Sequence, residues 1–268
     1  MAITIEDKDG RTLFTSQHAR HLGDAVQEAA YAHVSLARAK LDGADLSRRD
    51  LEGANLTGAS MIGVRLRNSN LEETVLDGAD LTRADLDGAN LEEASLSRAI
   101  MIEANARGAN FEECVLAEVD LSRAILDGAN FEETDLREAR LTGASFRRAN
   151  LEHAILAKAV GEGAVFSRAN LEKSDLHEAR FPNADFSGAN VERSDLRAGD
   201  FSGASFEGAN LEKSQLSYAD FSRASFHEAN VERCDVEGAK FEDARVDGAN
   251  FDGMKGTPAT RIPTGPYR

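Results

Sequence analysis

The stretch Gly108–Glu113, GANFEE, returns unchanged at residues 128–133 and as GANLEE at 88–93. A shorter period runs inside this twenty-residue one. From Leu36 to Phe251 every fifth residue is Leu, Phe, Met or Val, apart from Ala106 and Gly161, and the frame never slips. Two places before each stands a small residue, usually Ala, and one place before it Asp, Asn or Ser is common, as in ANLEE, ADLTR and ASFRR. A period of five fits neither the 3.6 of a helix nor the 2 of a strand, so the chain needs a coil geometry of its own.

Composition bounds the rest. The chain has 268 residues, no Trp and a net charge of −16. No apolar run approaches the roughly 18 residues that a membrane span needs. The opening MAITIEDKDG has neither a basic nor an apolar leader region, which predicts a cytoplasmic protein. An acidic surface repels phosphate backbones and anionic lipid, and no basic stripe is segregated along the chain, so neither direct nucleic-acid binding nor membrane contact is expected.

The pentads resemble the pentapeptide-repeat family, A(D/N)LXX, over about four-fifths of the chain. The resemblance implies an all-β solenoid, a right-handed quadrilateral β-helix in which four pentads make one square turn, here about eleven coils stacked at about 4.8 Å. The large residue and the small one two places before it point inward; the other three face out or shape the corner. Phe181, Phe201, Phe221 and Phe241 then line one inner face, and Phe146, Phe166, Phe186, Phe206 and Phe226 the next. Ala106 and Gly161 are expected to leave core volume empty, and Arg49 sits where a small residue belongs; a bulge or bend is expected at these places.

The ends read differently. ITIEDKDGRTLFTS alternates around Asp9-Gly10 as a β-hairpin does. HLGDAVQEAAYAHV puts Leu22, Ala25, Val26 and Ala29 on one helical face. The expected organisation is a hairpin and short α-helix capping the first coil over 1–33, the repeat over 34–252, and a Pro-rich tail, extended or disordered, over 253–268.

Catalytic and metal motifs are not found. Cys114 and Cys234 lie six coils apart on one inner column, too far for a disulfide, and read as reduced core residues. His18, His21, His33, His153, His177 and His227 lack ligand spacing, so neither metal nor cofactor is expected. Carboxylates one rung apart match the about 5 Å spacing of a retaining glycosidase pair. Every rung meets that spacing and no cleft is evident, so no enzymatic activity is predicted.

Two charged columns carry the functional reading. Glu52, Glu72, Glu92, Glu112, Glu132 and their successors form one; beside it run Glu73, Glu93, Glu113, Glu133, then His153, Lys173, Arg193, Lys213 and Arg233. In the C-terminal half each Glu has a basic neighbour. In the N-terminal half Glu72, Glu73, Glu92, Glu93, Glu112, Glu113, Glu132 and Glu133 crowd into four rungs without an offsetting charge in those columns, either as a solvated face or as a docking face for a protein partner with a basic surface. The Asn column from Asn70 to Asn250 is read as structural, bonding along the stack or to the corner backbone. The expected function is a non-enzymatic interaction scaffold. The alternative comes from the resemblance: Qnr- and MfpA-type members are acidic, DNA-shaped dimers that occupy the DNA site of gyrase or topoisomerase IV. Those proteins dimerise through an element after the last coil. Here only the Pro-rich tail follows Phe251, so a monomer or weak dimer is expected.

Overall fold

The computed structural model describes residues 2–263. Backbone hydrogen bonding explains the period of five. In the pentad 70–74 the Asn70 N–H donates to the carbonyl of Arg49 in the coil before (2.9 Å), while those of Leu71 and Glu73 donate to Asn90 and Glu92 in the coil after (2.7 and 3.0 Å). Thr74 N–H closes the corner on the Leu71 carbonyl (3.1 Å). One donor is left, the Glu72 N–H, and it reaches the Asn70 side-chain oxygen (3.3 Å). All five N–H groups of the pentad are thus satisfied, as a packed backbone demands.

That last bond gives the Asp/Asn preference its reason. Asp80, Asp120 and Asp185 hold the N–H groups of Thr82, Ser122 and Ser187 in the same way. Where the slot is Ser60, Ser95 or Ser145, an aspartate one coil earlier, Asp42, Asp77 or Asp127, takes the corner N–H instead. The corner also fixes a backbone sign: from Arg38 to Gly253 every fifth residue has positive φ. Positive φ at the third turn position is why Gly recurs there, and a non-glycine residue in that slot bears about 1–2 kcal/mol.

Parallel bridges join each coil to the next across twenty residues, from Lys40↔Ser60 to Asp235↔Lys255. The central and small positions are buried along the repeat, and the core passes from Leu-rich to Phe-rich toward the C terminus. Phe166, Phe186, Phe206 and Phe226 stack face to face at centroid separations of 4.9, 4.9 and 5.1 Å.

A hairpin and a short helix cover the N-terminal end. Strands β1 (Ile3–Glu6) and β2 (Thr12–Ser16) pair antiparallel. The turn between them is held by Asp7, whose carboxylate accepts from the Asp9 and Arg11 N–H groups. Asp7 also bridges Ala39, and Lys40 N–H donates to Glu6 O, so the hairpin closes an edge that would otherwise stand open. Helix α1 (Leu22–Tyr31) buries Gly23, Ala25, Val26, Ala29 and Ala30, with Leu22 partly covered.

Three expectations need correction. The ladder runs through Arg49, Ala106 and Gly161 without a shift. Gly161 leaves no void, because the Phe181 ring fills its place; a Cβ there would lie 2.6 Å from that ring. Arg49 turns its guanidinium toward the cap and pairs with Asp24 of α1 at 2.8 Å, which lets a long side chain occupy a small-residue slot. At the other end, residues 255–260 are not free of the stack: Lys255 bridges Asp235, Ala259 N–H donates to Ala239 O, and the Thr260 hydroxyl accepts the Phe241 N–H. The expected tail beyond residue 263 lies outside the described residues.

Gly23 marks a close approach of α1 to the repeat, since a Cβ there would collide with the Asp45 carbonyl oxygen. Gly23→Ala should therefore push the helix off the first coil and lower stability by about 1–3 kcal/mol, the range for overpacking. Amide exchange should accelerate across residues 22–31 while the C-terminal coils keep their protection; unchanged exchange in α1 would contradict this docking.

Candidate functional site

The motif GANFEE spans one side of the square, from the corner at Gly108 to the corner at Glu112 and Glu113. The Asn ladder runs up the middle of that side. Each Asn amide donates to the Asn oxygen one coil before it, at 3.0–3.4 Å, in an unbroken series from Asn90 to Asn250, and Asn70 donates to Asp50. The same amides reach the inner Glu column: Asn90, Asn110, Asn130 and Asn150 donate to Glu72, Glu92, Glu112 and Glu132 at 3.4, 3.2, 3.0 and 3.1 Å. The two structural roles open to the Asn column, along the stack and to the corner backbone, are therefore both taken by the same amides. The ladder thus ties one oxygen of each of these four carboxylates to the side of the rod.

Beneath this corner lies a small polar column that inspection of the outward positions misses. The side chains of Thr74, Cys114, Thr134, Ser194, Ser214 and Cys234 point inward, and each donates to the carbonyl of the large apolar residue one coil earlier, such as Phe111 for Thr134 (2.7 Å). The small-position slot is otherwise mostly Ala, so its repeated change to Thr, Ser or Cys in this column, against the single Ser69 in another, was the available signal. Both thiols are free and buried, and burial pushes each up to about 12; they serve as weak donors, not nucleophiles.

The eight glutamates are brought together as one edge. Glu72, Glu92, Glu112 and Glu132 are half-buried, while Glu73, Glu93, Glu113 and Glu133 are exposed on positive-φ corner residues. Among the described residues none of the eight forms an ion pair, whereas further along the same corner Glu152, Glu172, Glu192, Glu212 and Glu232 are each paired. Lys173 meets Glu152 and Glu172 (3.1 and 3.2 Å), Arg193 meets Glu172 and Glu192 (3.6 and 3.4 Å), and Lys213 meets Glu212 (2.6 Å). Proton affinities divide accordingly. Desolvation, then the surrounding carboxylates, raise Glu72 and Glu113 above the ordinary value of 4.5. Hydrogen bonds from Lys173 and Lys213 hold Glu152 and Glu212 below it.

These shifts have opposite consequences for stability. A raised carboxylate binds its proton more tightly folded than unfolded, so its unfavourable contribution is present at neutral pH and is relieved as pH falls through the raised value. A lowered one stabilises at neutral pH, and that contribution is lost as pH falls through the depressed value. Side-chain carbonyl titration by NMR should place the midpoints of Glu72 and Glu113 above 4.5 and those of Glu152 and Glu212 below it. Four indistinguishable midpoints would remove the electrostatic asymmetry.

The residues of this corner agree with a known family. Pentapeptide repeats match in eight copies over residues 35–78, 74–112, 114–152 and 144–183, and a pentapeptide repeat region over 174–251. The chain belongs to the pentapeptide-repeat family. Pentapeptide-repeat proteins of known structure adopt a right-handed quadrilateral β-helix, and the family's members are generally structural or interaction scaffolds. One similar structure is HetL of the cyanobacterium Nostoc, a pentapeptide repeat protein involved in heterocyst differentiation regulation, at 30% identity over 86% of this chain and 95% of that one, TM-score 0.40. Full-length QnrB1, a plasmid-mediated fluoroquinolone resistance protein, is similar at 20% identity over 81% and 90%, TM-score 0.38. A pentapeptide repeat protein of the Arabidopsis thaliana thylakoid lumen is 24% identical over 39% and 68%, TM-score 0.33. Curated proteins give no match.

No cluster of His, Cys, Asp and Glu among the described residues could hold a metal ion. Nor is any described helix long and apolar enough to cross a membrane.

Proposed function

We propose that this pentapeptide-repeat protein is a non-enzymatic scaffold, a rigid rod of about eleven coils that docks a protein with a basic surface on the edge formed by Glu72, Glu73, Glu92, Glu93, Glu112, Glu113, Glu132 and Glu133. One observation carries this reading. The same corner, under the same backbone geometry, is paired in its C-terminal half and unpaired in its N-terminal half. Like charges stacked rung on rung repel, and a basic partner would supply the counter-charge that the chain provides for itself elsewhere. In this reading residues 1–33 cap the rod, 34–252 form it, and 253–268 follow as a tail on a monomer or weak dimer, at work in the cytoplasm.

The test is capture from the native host with wild type and with Glu73, Glu93, Glu113 and Glu133 all changed to Lys, beside a gyrase supercoiling assay. A basic-surfaced protein held by the wild type and lost by the variant supports the docking edge. Gyrase or topoisomerase IV in that role would move the function to topoisomerase protection. Identical captures by both proteins would refute the edge.

A further inference from the structure

We propose a second site, on the opposite edge of the Asn-ladder side: a groove lined by Asp127, Gly128, Arg147, Arg148, Ser167, Arg168 and Ser187 that binds a single phosphomonoester dianion. The groove, about 620 Å³, is built by alternation along one corner column. That column is Gly at 88, 108 and 128, becomes Arg at 148 and 168, and returns to Gly at 188 and 208. The glycines at either side leave the corner low, and the two Arg side chains rise from it; the Arg168 stem lies over Gly188, whose Cβ would meet it at 3.5 Å.

Charge argues that the groove holds an anion. Many other corner cations reach a carboxylate one rung away, as Arg83 and Arg123 reach Glu103, Arg98 reaches Glu118 and Lys158 reaches Glu178, and the unpaired Arg48 and Arg223 stand singly among the described residues. Arg147, Arg148 and Arg168 make no such pair among the described residues, although consecutive rungs are about 4.8 Å apart and the chain is strongly acidic. Asp127, the one carboxylate in the groove, is already engaged: one of its oxygens accepts from the Ser145 hydroxyl and from the Arg147 N–H. Arg147 donates one N–H to the Ser145 hydroxyl at 2.7 Å and keeps its others. Three guanidinium groups with unused donors, and the hydroxyls of Ser167 and Ser187 beside them, match the several acceptor oxygens of a phosphate.

The surroundings limit the ligand to one phosphate. A strand of nucleic acid or an anionic membrane would spread many negative charges well past these three arginines, and the net charge of −16 opposes both. A phosphomonoester carries nearly two charges at one point above pH about 6, which suits a compact cluster. It can come from a small phosphorylated metabolite or from a phosphorylated side chain of a partner.

Arginine Nε–Hε resonances followed by NMR at pH 7.5 give the test, with O-phosphoserine, a phosphoserine hexapeptide, serine, a dT decamer and phosphatidylserine vesicles as probes. O-phosphoserine should produce saturable shifts confined to Arg147, Arg148 and Arg168, and serine none. Arg148→Gln with Arg168→Gln should weaken binding by at least about tenfold, as expected for losing charge-assisted bonds. The double variant should melt no lower than wild type, and phosphoserine should raise the midpoint of the wild type alone. Tighter binding of the hexapeptide than of the amino acid would assign the phosphate to a partner, and equal binding to a metabolite; either agrees with the proposal. Shifts that do not saturate, that persist in the double variant, or that the decamer or vesicles produce more strongly would overturn it. The Glu-to-Lys variant of the opposite corner leaves these residues intact, so failure of one site does not decide the other.

Discussion

Phe206→Ala should lower the unfolding free energy by about 3–5 kcal/mol, the range for emptying a buried aromatic site, while Glu207→Ala, the next residue, should stay within about 0.5 kcal/mol. The Phe206 ring is fully buried, stacked between Phe186 and Phe226 at 4.9 and 5.1 Å, and met edge-on by Phe201 and Phe221 at 6.0 and 5.8 Å. Removing it strips four rings of a partner at once, and stacked backbones bonded above and below cannot collapse into the space. Glu207 is exposed; it accepts from the Ser225 hydroxyl (3.0 Å) and pairs with Arg245 at 3.4 Å, contacts that solvent replaces at little loss. In a solenoid each coil touches only its neighbours, so the Phe206 lesion should also weaken coupling between the coils on either side and broaden the transition. Equal losses from the two substitutions, measured by chemical denaturation, would mean that the inward and outward positions are misassigned.

Changing Glu73, Glu93, Glu113 and Glu133 to Lys should slow association with a basic partner by tenfold or more, since long-range attraction acts chiefly on the encounter rate. The free rod should melt at the same temperature or higher. The substitutions copy the arrangement of Lys173 and Lys213, each of which bonds a Glu on its own rung. Salt separates the two effects: raising it should stabilise the wild-type rod by screening the unpaired edge, yet weaken the complex. Stopped-flow association across a salt series measures the second, and a melting series the first. A variant that associates as fast as wild type would reduce the edge to a solvated surface.

Much of this protein was legible without coordinates, because an unslipping five-residue frame leaves few ways to arrange a backbone. The frame separates Phe206 from Glu207, stacks the Phe columns, and lines up the eight glutamates twenty residues apart. The alternation in ITIEDKDGRTLFTS and the small-residue face of α1 also marked the N-terminal cap. The sequence by itself therefore determined the repeat, its inside and outside, and which residues share a column. Only the tertiary structure decided what those columns do to one another. That Phe181 fills the place of Gly161, that Arg49 turns out to Asp24, and that Thr134 bonds the Phe111 carbonyl depend on side-chain directions between coils. The distances at which Lys173 and Lys213 meet their glutamates, and the groove that Arg147, Arg148 and Arg168 enclose, arise in the same way. The physical reason is that contacts such as Phe181 with Gly161 and Thr134 with Phe111 join residues about twenty apart, so their partners and geometry are set when one coil is laid on the next.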